Sequence, residues 1–206
     1  RSNDYYSSRN YSSRLIGDKL VFYTPLYLSP WSADPLKSFP SLRKWRKGAD
    51  ESEFERIVSA SHVYKVERKQ SFHSGMALHT VTVCDLARSD FACKATAVVG
   101  HPGRVFYVSP NSVFVWTTNW SFSEAKASLS SMLYRMPLDG SAPSALGVSG
   151  SPVDQFSFLE SGDNHLNVLV RSAAAGDGMW SAEVAAGEVA LMRAPLANFS
   201  DGGETA

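Results

Sequence analysis

Long hydrophobic runs are missing from this sequence. The most continuous apolar stretch, Ser112 to Thr118, has the length of a strand and falls far short of the roughly 20 residues that a helix needs to cross a bilayer, so no membrane span is expected. Net charge is missing as well: 20 Lys and Arg balance 20 Asp and Glu, which leaves no field to draw the chain to nucleic acid or to an anionic membrane. Cysteine is scarce. Cys84 and Cys93 are the only two, and neither sits in a Cys-x-x-Cys pair, which argues against zinc. No basic-then-apolar leader precedes Arg1, so the N-terminus reads as a cut, with any signal peptide removed or outside the chain.

What is abundant points to strands. Aromatic residues make up 12 % of the chain and Val and Thr are frequent, a composition suited to pleated, half-buried surfaces. The two cysteines flank a turn-like connection, Asp85 to Ala92, near the two ends of one hairpin. A disulfide that closes this loop and a pair of buried free thiols are both compatible with that placement.

A repeat organises the strands. Val153 to Glu160, a polar turn at Ser161-Gly162-Asp163-Asn164, and His165 to Arg171 alternate with period two, Phe156 and Phe158 against Gln155 and Ser157. Further strands are expected over Met179 to Val184 and, after a Gly187 turn, over Glu188 to Ala194 as the fourth of the set. About 50 residues earlier the same order occurs, at the period of propeller blades: Arg104 to Ser109, Ser112 to Thr118, Ser131 to Leu138 and Ala142 to Ser149. A third unit starts with Ser13 to Ile16 and Lys19 to Thr24, and resumes with His79 to Asp85 and Lys94 to Val99. The sequence therefore predicts an all-β partial β-propeller of about three four-stranded antiparallel blades, near residues 10–99, 103–149 and 153–195, in preference to a β-sandwich. A two-sheet sandwich does not repeat in this way.

The first blade carries a long insertion, residues 28–78, with Pro25, Pro30, Pro35 and Pro40 around its start, which excludes a central strand there. Arg43, Lys44, Arg46 and Lys47 surround Trp45 and are followed by Asp50, Glu51, Glu53 and Glu55, a solvated, self-paired surface. Asp50 and Glu53 have the spacing of a capping box for a short helix through Ile57 and Val58.

Four stretches, Arg14 to Thr24, His79 to Val99, Val105 to Thr118 and Leu133 to Arg171, resemble the bacterial secreted proteins that carry a C-terminal β-propeller distantly related to WD-repeat domains. The polar turn Ser161 to His165 departs from that pattern, because it lacks the usual aromatic. The resemblance implies further blades outside this chain and a secreted or cell-envelope location. It implies no reaction and no cofactor.

Motifs for chemistry are weak. His62, His73, His79, His101 and His165 do not have the spacing of a metal site and are expected to be solvated or capping. Gly147-Val148-Ser149-Gly150-Ser151 departs from the nucleophile-elbow pattern and reads as a turn between blades. Asp139-Gly140, Asp163-Asn164 and Asp177-Gly178 read as turn chemistry rather than calcium loops. Asn10, Asn119 and Asn198 each begin an Asn-x-Ser triplet.

The first strand of each blade lines the channel of a propeller, so Arg14, Arg104, Gln155 and Ser157 are the expected ligand- or partner-binding residues, and the insertion is a second expected binding element. The leading expectation is a non-enzymatic scaffold that binds a protein or a glycan. The alternatives are an enzyme whose channel site is completed by other blades, and a calcium-stabilised structural module. Open blade edges near Ser13 and beyond Leu191 predict that the chain by itself self-associates or is only partly folded.

Overall fold

The structure is a computed structural model that describes residues 12–28, 39–67, 70, 72, 75–89, 92–118, 130–171 and 189–205. Its strands in the first half of the chain are β1 (Ser12–Ile16), β2 (Lys19–Leu28), β3 (Ser41–Leu42), β4 (Glu55–Arg56), β5 (Val63–Tyr64), β6 (Met76–Asp85) and β7 (Cys93–Gly100). The second half adds β8 (Arg104–Val108), β9 (Ser112–Thr118), β10 (Ser130–Pro137), β11 (Ser144–Ser149), β12 (Ser151–Pro152), β13 (Phe158–Ser161), β14 (His165–Arg171), β15 (Val189–Pro195) and β16 (Asp201–Thr205). Among the described residues the only helical pieces are short 3₁₀ turns, and none is long and apolar enough to cross a membrane. The chain divides into two compact units, Arg1–Tyr64 with Ala77–Val99, and Lys65–Met76 with Gly100–Ala206.

The first unit is built on a five-stranded sheet in the order β1-β2-β6-β7-β5. Gly17, at φ 57, makes the two-residue turn that sets Ile16 opposite Lys19 and so fixes the register of the first hairpin. Val21 and Tyr23 of β2 are buried, and the residues between and beside them are half-buried, as the period-two pattern requires. The sheet buries Leu26, Leu78, Ala95 and Ala97 together with Val58 from the insertion. The insertion also returns as β5, which pairs in parallel with the outer strand, Val63 opposite Ala97 and Tyr64 opposite Val98. That pairing covers an edge the sheet would otherwise expose.

Within the insertion the capping box is present but the helix is shorter than expected. Asp50 Oδ1 accepts from Ser52 N at 2.8 Å, and Glu53 Oε1 accepts from Asp50 N at 2.7 Å. The helical piece then ends at Glu53, in a single 3₁₀ turn, and Glu55–Arg56 pair with Ser41–Leu42. Ile57 donates its backbone N–H to Pro40 O at 3.0 Å and Val58 joins the core, so two β-branched residues gain more from extended backbone than from a further helical turn.

The second unit has two sheets. One runs β8-β9-β10-β11-β16, with antiparallel neighbours up to β11 and β16 added in parallel. Every residue of β9 is buried. The other sheet is centred on β14, with β12 and β13 along one side and β15 along the other. A single core joins the two sheets, in which Phe114, Trp116, Leu133, Leu146 and Val148 meet Phe158, Leu166, Val168, Ala194, Leu196 and Phe199. Trp116 and Phe158 meet edge to face, and Trp116 Nε1 donates to Gly150 O at 3.2 Å, so the largest core residue keeps its polar atom satisfied.

Two expectations for this last sheet are corrected. The strand expected as fourth, over Glu188 to Ala194, is β15 and pairs directly with β14, Leu166 opposite Ala194 and Val168 opposite Met192. That register sends Leu166, Val168 and Ala194 into the shared core, which fixes β15 as the third strand of its sheet. The strand expected over Met179 to Val184 lies outside the described residues. Of the first strand, expected over Val153 to Glu160, only the end is extended, as β13; residues 153–157 form a turn, and the short strand β12 precedes them.

Candidate functional site

The break between β12 and β13 is a built turn. Asp154 Oδ1 accepts from Phe156 N at 2.8 Å and from Ser157 Oγ at 2.8 Å, and Asp154 N donates to Ser157 Oγ at 3.0 Å. This is the Asx-turn chemistry that aspartate and serine offer in competition with a ladder. Both flanks of the turn return to the same residue of β14: Val153 N donates to Leu169 O at 3.1 Å, and Leu169 N donates to Ser157 O at 3.0 Å. The residues between loop out of the strand. Phe158 is buried, whereas Phe156, expected to share its face, stands 80 % exposed at the tip of the turn.

The expected binding residues are distributed as follows. Gln155 and Ser157 come together in this turn, where the Ser157 hydroxyl is committed to Asp154. Arg104 begins β8 in the other sheet of the same unit; it is buried and donates through Nη1 to Pro102 O at 3.1 Å. Arg14 belongs to the first unit, is exposed on β1, and donates to its neighbour Ser13 O.

A second polar group surrounds the turn between β13 and β14. Asp163 pairs through Oδ2 with Arg193 across the sheet and accepts at Oδ1 from Ser161 Oγ at 2.5 Å, and His165 Nδ1 lies 3.4 Å from the same Oδ1. The Ser161 hydroxyl first, and then Arg193 and His165, bring the Asp163 carboxyl down to about 2. Asn164 takes φ 61 at this turn. At the Asp139-Gly140 turn, Asp139 Oδ1 accepts from Ser141 N and Oγ, and Gly140 takes φ 87. Both carboxylates are thus engaged by side chains of the described residues, Asp139 within its own turn and Asp163 by its turn and by Arg193 of β15. Asp177-Gly178 lies outside the described residues, as do Asn10 and Asn119.

The histidines require a correction. His79 is fully buried and its Nδ1 meets the Tyr23 hydroxyl at 2.8 Å, with the two rings stacked. His101 is also buried, against Phe72, and burial lowers its pKa. These two are core residues: His79 lies on β6, where every residue from Ala77 to Thr82 is buried, and His101 directly follows β7. His62 and His165 do cap local turns, through Ser59 and the Asp163 carbonyl. His73 lies outside the described residues. No cluster of His, Cys, Asp and Glu able to hold a metal is present among the described residues.

Cys84 and Cys93 are bonded to each other, which decides between the two arrangements left open by their spacing. The basic run of the insertion pairs within itself: Arg46 holds Glu53 at 2.7 Å, and Arg43 lies over the Phe54 ring. Trp45 is exposed beside it.

The sheets repeat one arrangement, each opening with two hairpin-linked strands. The family model described as a beta propeller domain matches residues 3–199. This chain belongs to the beta propeller domain family. No curated protein and no solved structure matches it. The propeller is all-β, its described sheets are not closed, and its first blade carries the long insertion. In this propeller the residues missed by sequence reasoning are Phe156, hidden because its alternation with Phe158 implied burial, and the buried pair Ser151 and Arg171. Asp154 followed by Ser157 was the available signal for the turn.

Proposed function

We propose that this propeller is a non-enzymatic scaffold of a bacterial secreted or cell-envelope protein, distantly related to WD-repeat propellers, and that it binds a protein or glycan partner through the turn at residues 153–157. The observation that carries this reading is the exposure of Phe156. An aromatic side chain lifted out of its strand by three hydrogen bonds to Asp154 and Ser157 costs apolar burial, and a binding contact supplies a reason for it. Its place supports the same reading, since first strands face the channel in propellers, and half-buried Gln155 adds an amide beside the ring. The Cys84–Cys93 bond supports an oxidising, extracytoplasmic compartment. Blades beyond this chain complete the ring.

The test is a pair of variants, Phe156→Ala and Gln155→Ala, screened with the native chain against a glycan array and against proteins cross-linked to it in its own cell envelope. Phe156→Ala is expected to lose at least tenfold in affinity for whichever class binds, with an unchanged melting temperature. Binding to both classes that is indifferent to both substitutions would overturn the proposal.

A further inference from the structure

The sheet centred on β14 has a second face. Leu166, Val168 and Val170 turn into the core, and Asn167, Leu169 and Arg171 turn the other way. On that outer face exposed Leu169 stands opposite exposed Leu191, and Arg171 stands between Ser151 of β12 and Val189 of β15. Arg171 is nonetheless only 5 % exposed and Ser151 only 4 %. Among the described residues, Nε and Nη1 of Arg171 and Oγ of Ser151 have no hydrogen-bond partner. The ion pairs among the described residues join Arg46 to Glu53 and Asp163 to His165 and Arg193, and none reaches Arg171.

A guanidinium taken out of water without a counter-charge is strongly unfavourable, and so is a buried hydroxyl without a partner. Here both occur side by side, on directly opposed residues whose Cβ atoms are about 5 Å apart in such a pairing. One acceptor can therefore meet both. We infer that Arg171 and Ser151 form a receptor for a single carboxylate. One positive charge is matched by one negative charge, whereas a phosphate dianion would leave an excess charge in the same buried place. Val189, opposite Arg171 on the other side, and the neighbouring Leu169 and Leu191 make the border apolar, which strengthens the pair. The carboxylate belongs either to a free organic acid or to an acidic side chain on a protein segment laid along the two leucines.

Thermal melts of the whole chain at pH 7, in sodium acetate and in sodium chloride at equal ionic strength, test this. The midpoint is expected to rise with acetate and not with chloride, and the Arg171 Nε–H resonance is expected to shift over the same range. Arg171→Met should abolish the acetate response, and Ser151→Ala should weaken it severalfold. Should the first variant fail to fold, the second and the Nε–H resonance still decide. The peptide acetyl-Leu-Glu-Leu-amide separates the sources: binding at least tenfold tighter than acetate supports a protein-borne carboxylate, and equal or weaker binding a free acid. An acetate response that survives Arg171→Met, a stronger response to phosphate, or acetate and chloride acting alike would overturn the inference.

Discussion

A Cβ placed on Gly202 would lie 2.6 Å from Cγ1 of Val66, so the two residues meet at a distance that only glycine permits. Gly202 also takes φ 87, and it lies in β16, the strand that adds in parallel to β11. Val66 follows the short strand β5, and the next residue, Glu67, donates its N–H to Asp201 O at 3.3 Å. Gly202→Ala is therefore expected to destabilise the second unit by about 2–4 kcal/mol, from backbone strain and overpacking together. Val66→Ala in the same chain should restore part of this loss, since it removes the closest contact, at Cγ1, while the contact with the Val66 Cβ at 2.9 Å and the backbone strain remain. Urea unfolding of the single and double variants measures both effects.

The bond between Cys84 and Cys93 closes a short loop across β6 and β7, where Asp85 N also donates to Ala92 O at 3.0 Å. By the loop-closure argument it contributes about 2–3 kcal/mol. Reduction, or replacement of both cysteines by alanine, is expected to lower the urea midpoint by a matching amount. Cys84 is fully buried, so the alanine variant should fall slightly further than the reduced chain.

His101 and Asp163 contribute two separable parts of the expected pH dependence. Burial lowers the pKa of His101, so the unfolded chain binds more protons below the ordinary histidine range and stability falls as pH drops below about 6.5. His101→Asn should flatten that slope between pH 7 and 5. Asp163 is held down to about 2, so its contribution is complete above the ordinary aspartate range and is lost as pH falls from about 4 toward 2. Asp163→Asn should weaken the acid limb, the rest of which belongs to Asp50 and Glu53, whose carboxyl groups are also held below their ordinary range. Melting curves across pH 2–8 separate the His101 and Asp163 contributions, because their windows do not overlap.

Leu169 and Leu191, directly opposed and exposed, give the outer face of the β14 sheet an apolar row, extended by Leu159 and Val189. Such a face associates in water. Sedimentation is expected to show concentration-dependent association of the chain, and Leu169→Glu with Leu191→Lys should suppress it, because the introduced charges pair across the strands. A monodisperse native chain at high concentration would contradict this prediction.

Much of the strand order was legible in the sequence because each hairpin has its own turn chemistry and its own alternation. Gly17-Asp18 fixes the first, and the Ser109 hydroxyl closes the turn into β9 by accepting from Ser112 N at 2.9 Å. The candidate site was less legible. Phe156 and Phe158 carry the same local pattern, and only the competition between the ladder and the Asp154 turn separates a buried ring from an exposed one.

The amino-acid sequence by itself determined the fold class, the presence of the insertion and the positions of most strands, since these follow from short-range periodicity and turn residues. Tertiary structure alone decided the rest. It placed β15 beside β14, joined β5 and β16 to the outer edges of their sheets, bonded the two cysteines, buried His79 and His101, and set Ser151 against Arg171. Each of these depends on contacts between residues distant along the chain, whose register is chosen by which side chains fill a common core, a choice that no local pattern encodes.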